Sequence, residues 1–205
     1  MAFGTEQEAF WAGAFGDEYA ARNTGAEMLA TNLALFGRVL SRAHGVRSVI
    51  ELGANIGMNL RAIRQLLPKA TLAAVEINEH ACAKLRDIGN VEVTHGSLFD
   101  YRPTAKMDLA FVSGVLIHLA PQRLNDAYDV LASASDRYVL VAEYYNPTPV
   151  EVPYRGHSER MYKRDFAGEL MDRHSTLQLV DYGFLYRRDP NFACDDLNWF
   201  LLEHR

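Results

Sequence analysis

The segment RSVIELGANIGM, from Arg47 to Met58, constrains this chain more than any other. A β-branched run ends in an acidic residue, passes two glycines four positions apart, and enters a stretch of helical periodicity. A strand that turns directly into a helix is the start of a β-α-β unit, and its parallel strands require cover on both faces. The pattern repeats downstream. Strand-like runs at Arg47 to Leu52, Thr71 to Ile77, Val91 to His95, Met107 to Val112 and Arg137 to Glu143 alternate with helical stretches at Met58 to Leu67, Glu79 to Ile88 and Pro121 to Ala134. Continuous apolar runs such as Tyr138-Val-Leu-Val fit strands buried on both sides. The expectation is an α/β, doubly wound parallel sheet, with residues 45–143 as its ligand-binding core.

The flanks read differently. Residues 1–44 hold a short aromatic helical stretch around Phe10 to Tyr19 and a longer one from Gly25 to Ala43, expected to form an N-terminal helical cap. Residues 144–176 open with YYNPTPVEVPYRGHSERMYKRDF and end in a helix from Phe166 to Asp172; they are expected to lie over the carboxyl edge of the sheet as a substrate-covering insertion. Residues 177–205 supply closing strands, Leu177 to Tyr186 and Leu197 to Glu203. With 205 residues, 49% of them hydrophobic, the chain suits a single domain.

Charge and composition exclude several classes. Twenty-one basic against 26 acidic residues give a net charge of -5, which disfavours nucleic acid as a partner. The two cysteines, Cys82 and Cys194, form no CxxC pair and no metal-ligand spacing with the seven histidines, so neither a metal site nor a disulfide framework is indicated. No apolar run approaches the ~20 residues of a membrane span, and the N-terminus lacks the form of a secretion signal. A soluble, unprocessed cytoplasmic protein, monomer or homodimer, with a small-molecule partner and no membrane, is the expectation.

The glycine turn has the form acidic-x-Gly-x-Asn-x-Gly. Asn55 and Met58 stand where a dinucleotide fold places glycine, which weakens a nicotinamide reading. An adenosine carrying an amino acid needs other chemistry: Glu51 to pair with an ammonium, loop amides to take a carboxylate, and Gly53 and Gly57 to allow a tight turn and close approach. Glu76, ending the second strand in VEIN beside Ile77, can accept both ribose hydroxyls. Ser97, Leu98 and Asp100 in HGSLFD stand where an adenine would lie, and Ser113 to His118 in SGVLIHL where a sulfur and a nucleophile would meet.

Taken in order, VIELGANIG, VEIN, HGSLFD and SGVLIHL resemble the motifs of class I S-adenosylmethionine-dependent methyltransferases over about residues 46 to 143. The resemblance implies a Rossmann-like, seven-stranded sheet with an antiparallel last strand, and S-adenosylmethionine as cofactor, held by Glu51, Gly53, Asn55, Gly57, Glu76, Ile77, Ser97, Leu98, Ser113 and Gly114. Ser97 departs from the aspartate common in that family. WAGAFGDEYAARN, AEYYNPTPVEVPYRGHSERMYKRDFAGELM and DYGFLYRRDPNF resemble a narrower group, the methylases associated with pseudaminic acid biosynthesis. That implies a small polar acceptor such as a nonulosonic acid sugar or its precursor, with other amine-, guanidine- or carboxylate-bearing metabolites open.

Methyl transfer asks for alignment, desolvation and, for a hydroxyl nucleophile, a base. His118 is the candidate base, with packing against the cofactor as its alternative role, and Glu143 a candidate orienting carboxylate. Tyr144, Tyr145 and Asn146 emerge on the same rim as acceptor-binding candidates. Arg155, His157, Arg160, Lys163 and Arg164 cluster within ten residues and suggest an anionic acceptor, with Arg155 and Arg160 as its binding candidates. Tyr19, Arg22 and Asn23 are further candidates; Trp11, Phe15 and Tyr19 recur at a spacing that packing alone would explain. Two rival activities compete: an NAD-dependent oxidoreductase, supported by Glu76 alone, and a nucleic-acid methyltransferase, suggested by Asn146-Pro-Thr-Pro but displaced from strand four to strand five.

Overall fold

The computed structural model describes residues 3–22, 25–156 and 158–205. Three helices come first: α1 (Glu6–Ala12), α2 (Ala14–Arg22) and α3 (Ala26–Arg42). The single aromatic helix expected near Phe10 is two, because Gly13 takes an extended conformation (φ -99°, ψ -157°) that ends α1. Thr5 starts α1 by accepting the Glu8 amide at 3.2 Å. In α3 the buried positions Thr31, Leu35, Phe36 and Val39 recur at helical spacing, giving the helix one face for the core.

The alternating unit follows: β1 (Ser48–Leu52), α4 (Met58–Leu66), β2 (Thr71–Glu76), α5 (Glu79–Arg86), β3 (Val91–His95), β4 (Met107–Ser113), α6 (Leu124–Ala134) and β5 (Ser135–Glu143). Short 3-10 turns at Leu98–Asp100, Leu116–His118 and Pro121–Arg123 punctuate it. Beyond β5, a two-residue antiparallel pair, β6 (Val150–Glu151) with β7 (Tyr162–Lys163), folds the Pro-rich segment into a strap. Period-two patterning is too short there to announce it. Then come α7 (Phe166–Arg173), β8 (Leu177–Leu185) and β9 (Leu197–His204).

The main sheet has seven strands in the order β3-β2-β1-β4-β5-β9-β8. The first five are mutually parallel, and β9 runs antiparallel to both β5 and β8, so the last strand is the reversed one. Strand residues alternate between two cores. Ile50, Leu52, Val112 and Val141 face α6 and α7; Val49, Leu109, Phe111 and Leu140 face α3 and α4. Strand order reverses between β1 and β4, and the carboxyl ends there open a crevice where ligands of such sheets bind. No helix among the described residues is long and apolar enough to cross a membrane.

Phe36 is fully buried, and its ring meets that of Phe111 edge-on at 5.2 Å between centroids. Phe36→Ala should therefore destabilise the fold by roughly 3–5 kcal/mol, read from the shift in urea unfolding midpoint; a change below about 1 kcal/mol would show that α3 does not depend on this contact.

Candidate active site

Four strand ends build the floor of one cleft: Gly53 after β1, Glu76 and Ile77 at β2, Gly96 to Phe99 after β3, and Ser113 to Val115 after β4. It encloses about 740 Å³, its open mouth included. Gln7, Glu8, Trp11 and Tyr19 from α1 and α2 close it from above, with His118 and Leu119 at one side.

Glu76 organises the floor. Its Oε2 accepts the Asn55 amide at 2.6 Å and its Oε1 the Asn78 amide at 2.8 Å, so the loops after β1 and β2 hang on one carboxylate. Burial pushes its pKa up, with the amide hydrogen bonds working the other way. Ser97 caps the 3-10 turn by accepting the Phe99 amide at 3.2 Å, which fixes Leu98 in the cleft wall.

The glycine turn departs from one expectation. The amides of Gly53 and Ala54 donate to the Val75 carbonyl, that of Asn55 to Glu76, and that of Gly57 to the Ala54 carbonyl. Those four donors are consumed inside the turn and are not there for a ligand carboxylate. Gly53 stands at φ +78°, where a Cβ would meet Val115 Cγ2 at 2.6 Å, so the turn packs directly against the loop after β4. Gly57 (φ +77°) faces Leu85 and Ile88 instead of the cleft; there the missing side chain serves helix packing. Asn55 adopts φ +48°, a left-handed conformation that asparagine tolerates.

Glu51 lies fully buried beneath the turn and is not part of the cleft wall. Its Oε1 accepts from Asn59 Nδ2 at 2.7 Å, while Oε2 is buried with no hydrogen-bond partner. Desolvation raises its pKa well above the usual carboxylate value. Glu143 repeats the arrangement at the end of β5: Oε1 accepts the Val115 and Leu116 amides at 2.8 and 2.9 Å, Oε2 is buried without a partner, and burial lifts the pKa to about 7. It too lies behind the cleft wall, under the turn that carries His118.

His118 is buried and lines the cleft. Its Nδ1 meets the Arg160 carbonyl at 2.6 Å. A carbonyl only accepts, so Nδ1 carries the proton and Nε2 presents the lone pair. The ring packs against Trp11 at 4.6 Å and Tyr154 at 4.8 Å between centroids. Burial depresses its pKa to about 4, the carbonyl hydrogen bond opposing. Such a weak base suits a hydrogen-bond acceptor that orients a nucleophile better than a group that removes a hydroxyl proton.

Several other candidates do not reach the cleft wall. Tyr144 donates its hydroxyl to Asp195 at 2.7 Å, Tyr145 is exposed beside Phe200, and Asn146 closes its own turn onto Thr148. Arg22 is exposed at the end of α2, and Asn23 and His157 lie outside the described residues. The basic cluster disperses: Arg160 pairs with Glu6 at 3.2 Å, Arg164 with Glu169 at 2.7 Å, Lys163 sits over the Tyr144 ring, and Arg155 is exposed beside Tyr154. Sequence reasoning missed Gln7, Glu8 and Phe99. A signal existed for the first two, since Thr5-x-x-Glu8 is the spacing of a capped helix start.

The buried, carbonyl-bound imidazole has a spectroscopic consequence. Nitrogen NMR should find the His118 ring neutral, with the proton on Nδ1, at every point between about pH 5 and 8; a titration near 6.5 would place the ring in water.

No family model matches the chain, and no curated protein matches it. Among solved structures, it is similar to the Burkholderia thailandensis 1,6-didemethyltoxoflavin-N1-methyltransferase bound to its substrate and S-adenosylhomocysteine (TM-score 0.70, 18% identity, 96% of this chain and 86% of that one). It is also similar to the magnesium protoporphyrin IX methyltransferase of Synechocystis PCC 6803 bound to S-adenosylmethionine (0.68, 12%, the whole of both chains). DhpI in complex with S-adenosylhomocysteine aligns at 0.64 and 22%, over 97% of this chain and 95% of its own. With the seven-stranded sheet and its reversed last strand, the chain has the Rossmann-like methyltransferase fold.

Proposed function

We propose that the chain binds S-adenosylmethionine in the strand-end cleft and transfers its methyl group to a small polar metabolite. The observation that carries this reading is Glu76, a buried carboxylate at the end of β2 on the cleft wall, locked by two backbone amides. Each of its oxygens keeps acceptor capacity beyond the amide it holds, as the two hydroxyls of a ribose require. The partnerless Oε2 of Glu51 fits the same cofactor, because a buried carboxylate oxygen favours a cationic neighbour and an ammonium supplies one. Ile77, Ser97 and Leu98 would bracket the adenine. Gly53, Asn55 and Gly57 shape the turn, and Ser113 and Gly114 form the floor beneath the reacting end.

The bound cofactor supplies an electrophilic methyl on a sulfonium, open to in-line displacement. Trp11, Tyr19 and Leu119 exclude water from the reacting end, and His118 Nε2 accepts a hydrogen bond from the nucleophile and aims it. Glu143 acts as a positioning residue, holding through two amides the turn on which His118 rides. For the acceptor, the resemblance of the flanking segments to the pseudaminic acid-associated methylases supports a nonulosonic acid sugar or precursor. The neighbours' names, which speak of a toxoflavin precursor and a porphyrin, support a small molecule generally.

Calorimetry tests the cofactor reading: S-adenosylhomocysteine should bind at micromolar concentration and NADH not at all, and the reverse result sinks it. Glu76→Ala should weaken S-adenosylhomocysteine by about tenfold or more. His118→Ala should keep that affinity and lower the methyl-transfer rate by ~10- to 100-fold; an unchanged rate would leave His118 with packing alone.

A further inference from the structure

The part of the cleft left over once an adenosine occupies the strand ends is walled by Gln7, Glu8, Trp11, Tyr19, His118 and Leu119. Among the described residues no lysine or arginine lines the cleft, whereas Glu8 does, as a buried carboxylate. Thr5 Oγ donates to Glu8 Oε2 at 3.1 Å, and no ion pair to Glu8 is formed among the described residues. Arg123, the cation nearest that corner, is taken up by Asp126 and by the outer face of Phe99, 4.1 Å from its centroid. Arg160 turns away from the cleft toward Glu6 and the Phe10 ring. What remains is a carboxylate, an imidazole lone pair, an amide and two electron-rich rings, of which Trp11 brings a neutral indole N–H.

An anionic acceptor would bring a second negative charge against Glu8 in a desolvated site, where Arg123, the cation near that carboxylate, is already paired with Asp126. A positive or N–H-bearing group meets a carboxylate, ring faces and an accepting nitrogen, with the unpartnered Trp11 indole N–H left for an acceptor atom on the same molecule. We propose that the methyl acceptor is an amine on a flat or apolar skeleton, its nitrogen held between Glu8 and His118 Nε2, and that the product is an N-methylamine. This rests on the methyltransferase reading and departs from the anionic nonulosonic acid to which the resemblance of the flanking segments points.

The step balances without a strong base. The lone pair of the neutral amine forms the new N–C bond, and the S–C bond breaks with its electron pair returning to sulfur. The positive charge passes from the sulfonium to an N-methylammonium, which then gives a proton to water. Glu8 stands where that charge arrives, and a preplaced opposite charge is the arrangement that lowers such a barrier. His118, with Nε2 unprotonated, needs only to accept an N–H hydrogen bond.

Three probes of one skeleton test this on the protein saturated with S-adenosylhomocysteine: phenethylamine, 2-phenylethanol and phenylacetate, each titrated by calorimetry. Phenethylamine should bind about tenfold more tightly than phenylacetate, with the alcohol between them. Glu8→Gln, which keeps an oxygen for Thr5, should shrink that gap below about threefold while leaving S-adenosylhomocysteine affinity unchanged. Phenylacetate binding equally or better, no measurable phenethylamine binding at millimolar concentration, a gap that survives Glu8→Gln, or a loss of S-adenosylhomocysteine affinity in that variant each overturns the proposal. Failure of the parent protein to bind S-adenosylhomocysteine would instead remove the cofactor reading beneath it.

Discussion

Buried carboxylates hold this architecture together at its working edge. Glu51, Glu76 and Glu143 stand at or near the ends of β1, β2 and β5, each deprived of water and each accepting an N–H from the element that follows or faces its strand. A desolvated carboxylate without such donors would cost several kcal/mol, so loops that bring amides to it are selected over loops that do not. The Gly53–Gly57 turn and the Gly114–Leu116 turn therefore have defined shapes before any ligand arrives. Preorganisation of this kind matters for a reaction in which the protein contributes mainly alignment.

How much of this was legible in the sequence follows from the range of the interactions involved. The alternation of apolar runs and helical periodicity, with Gly53 and Gly57 at the first turn, contains the doubly wound core, because each β-α-β unit is specified by residues close in the chain. The strands bounded by Val91 and His95 and by Arg137 and Glu143 come within two residues of those observed. Glu76, Ile77, Ser97, Leu98, Ser113, Gly114 and His118 all reach the cleft for the same reason: a strand end in such a sheet has one place to be. That the last strand is reversed came through the family resemblance, since no local pattern distinguishes an antiparallel insertion from a parallel addition; its place between β5 and β8 is a finding of the structure.

The acceptor side was less legible because its residues are brought together by long-range contacts. Arg160, Lys163 and Arg164 form a basic cluster in the sequence, yet a cluster along a chain is not a cluster in space: Lys163 lies on the two-residue β7, with Arg160 before it and Arg164 after it. Each finds its own partner, in Glu6, the Tyr144 ring and Glu169. Conversely Glu8 has no charged company in the sequence other than Glu6, and reads as one side of a short helix. Only the folding of α1 over the strand ends brings it into the cleft.

The same long-range contacts govern how the cleft can be covered. The strap touches α1 through Gln7 Nε2 on the Glu159 carbonyl at 3.2 Å and through Arg160 on Glu6, while its Arg160 carbonyl accepts a hydrogen bond from His118 Nδ1 at 2.6 Å. These bonds differ in strength. Glu6 has 83% of its side chain exposed, so its pairing with Arg160 is screened and contributes little. The His118 hydrogen bond is short and buried among Trp11 and Tyr154, where it contributes more. The strap is thus held firmly where it meets the orienting imidazole and loosely where it meets α1 through Glu6, while α1 itself is tied to that imidazole by the packing of Trp11 on the ring.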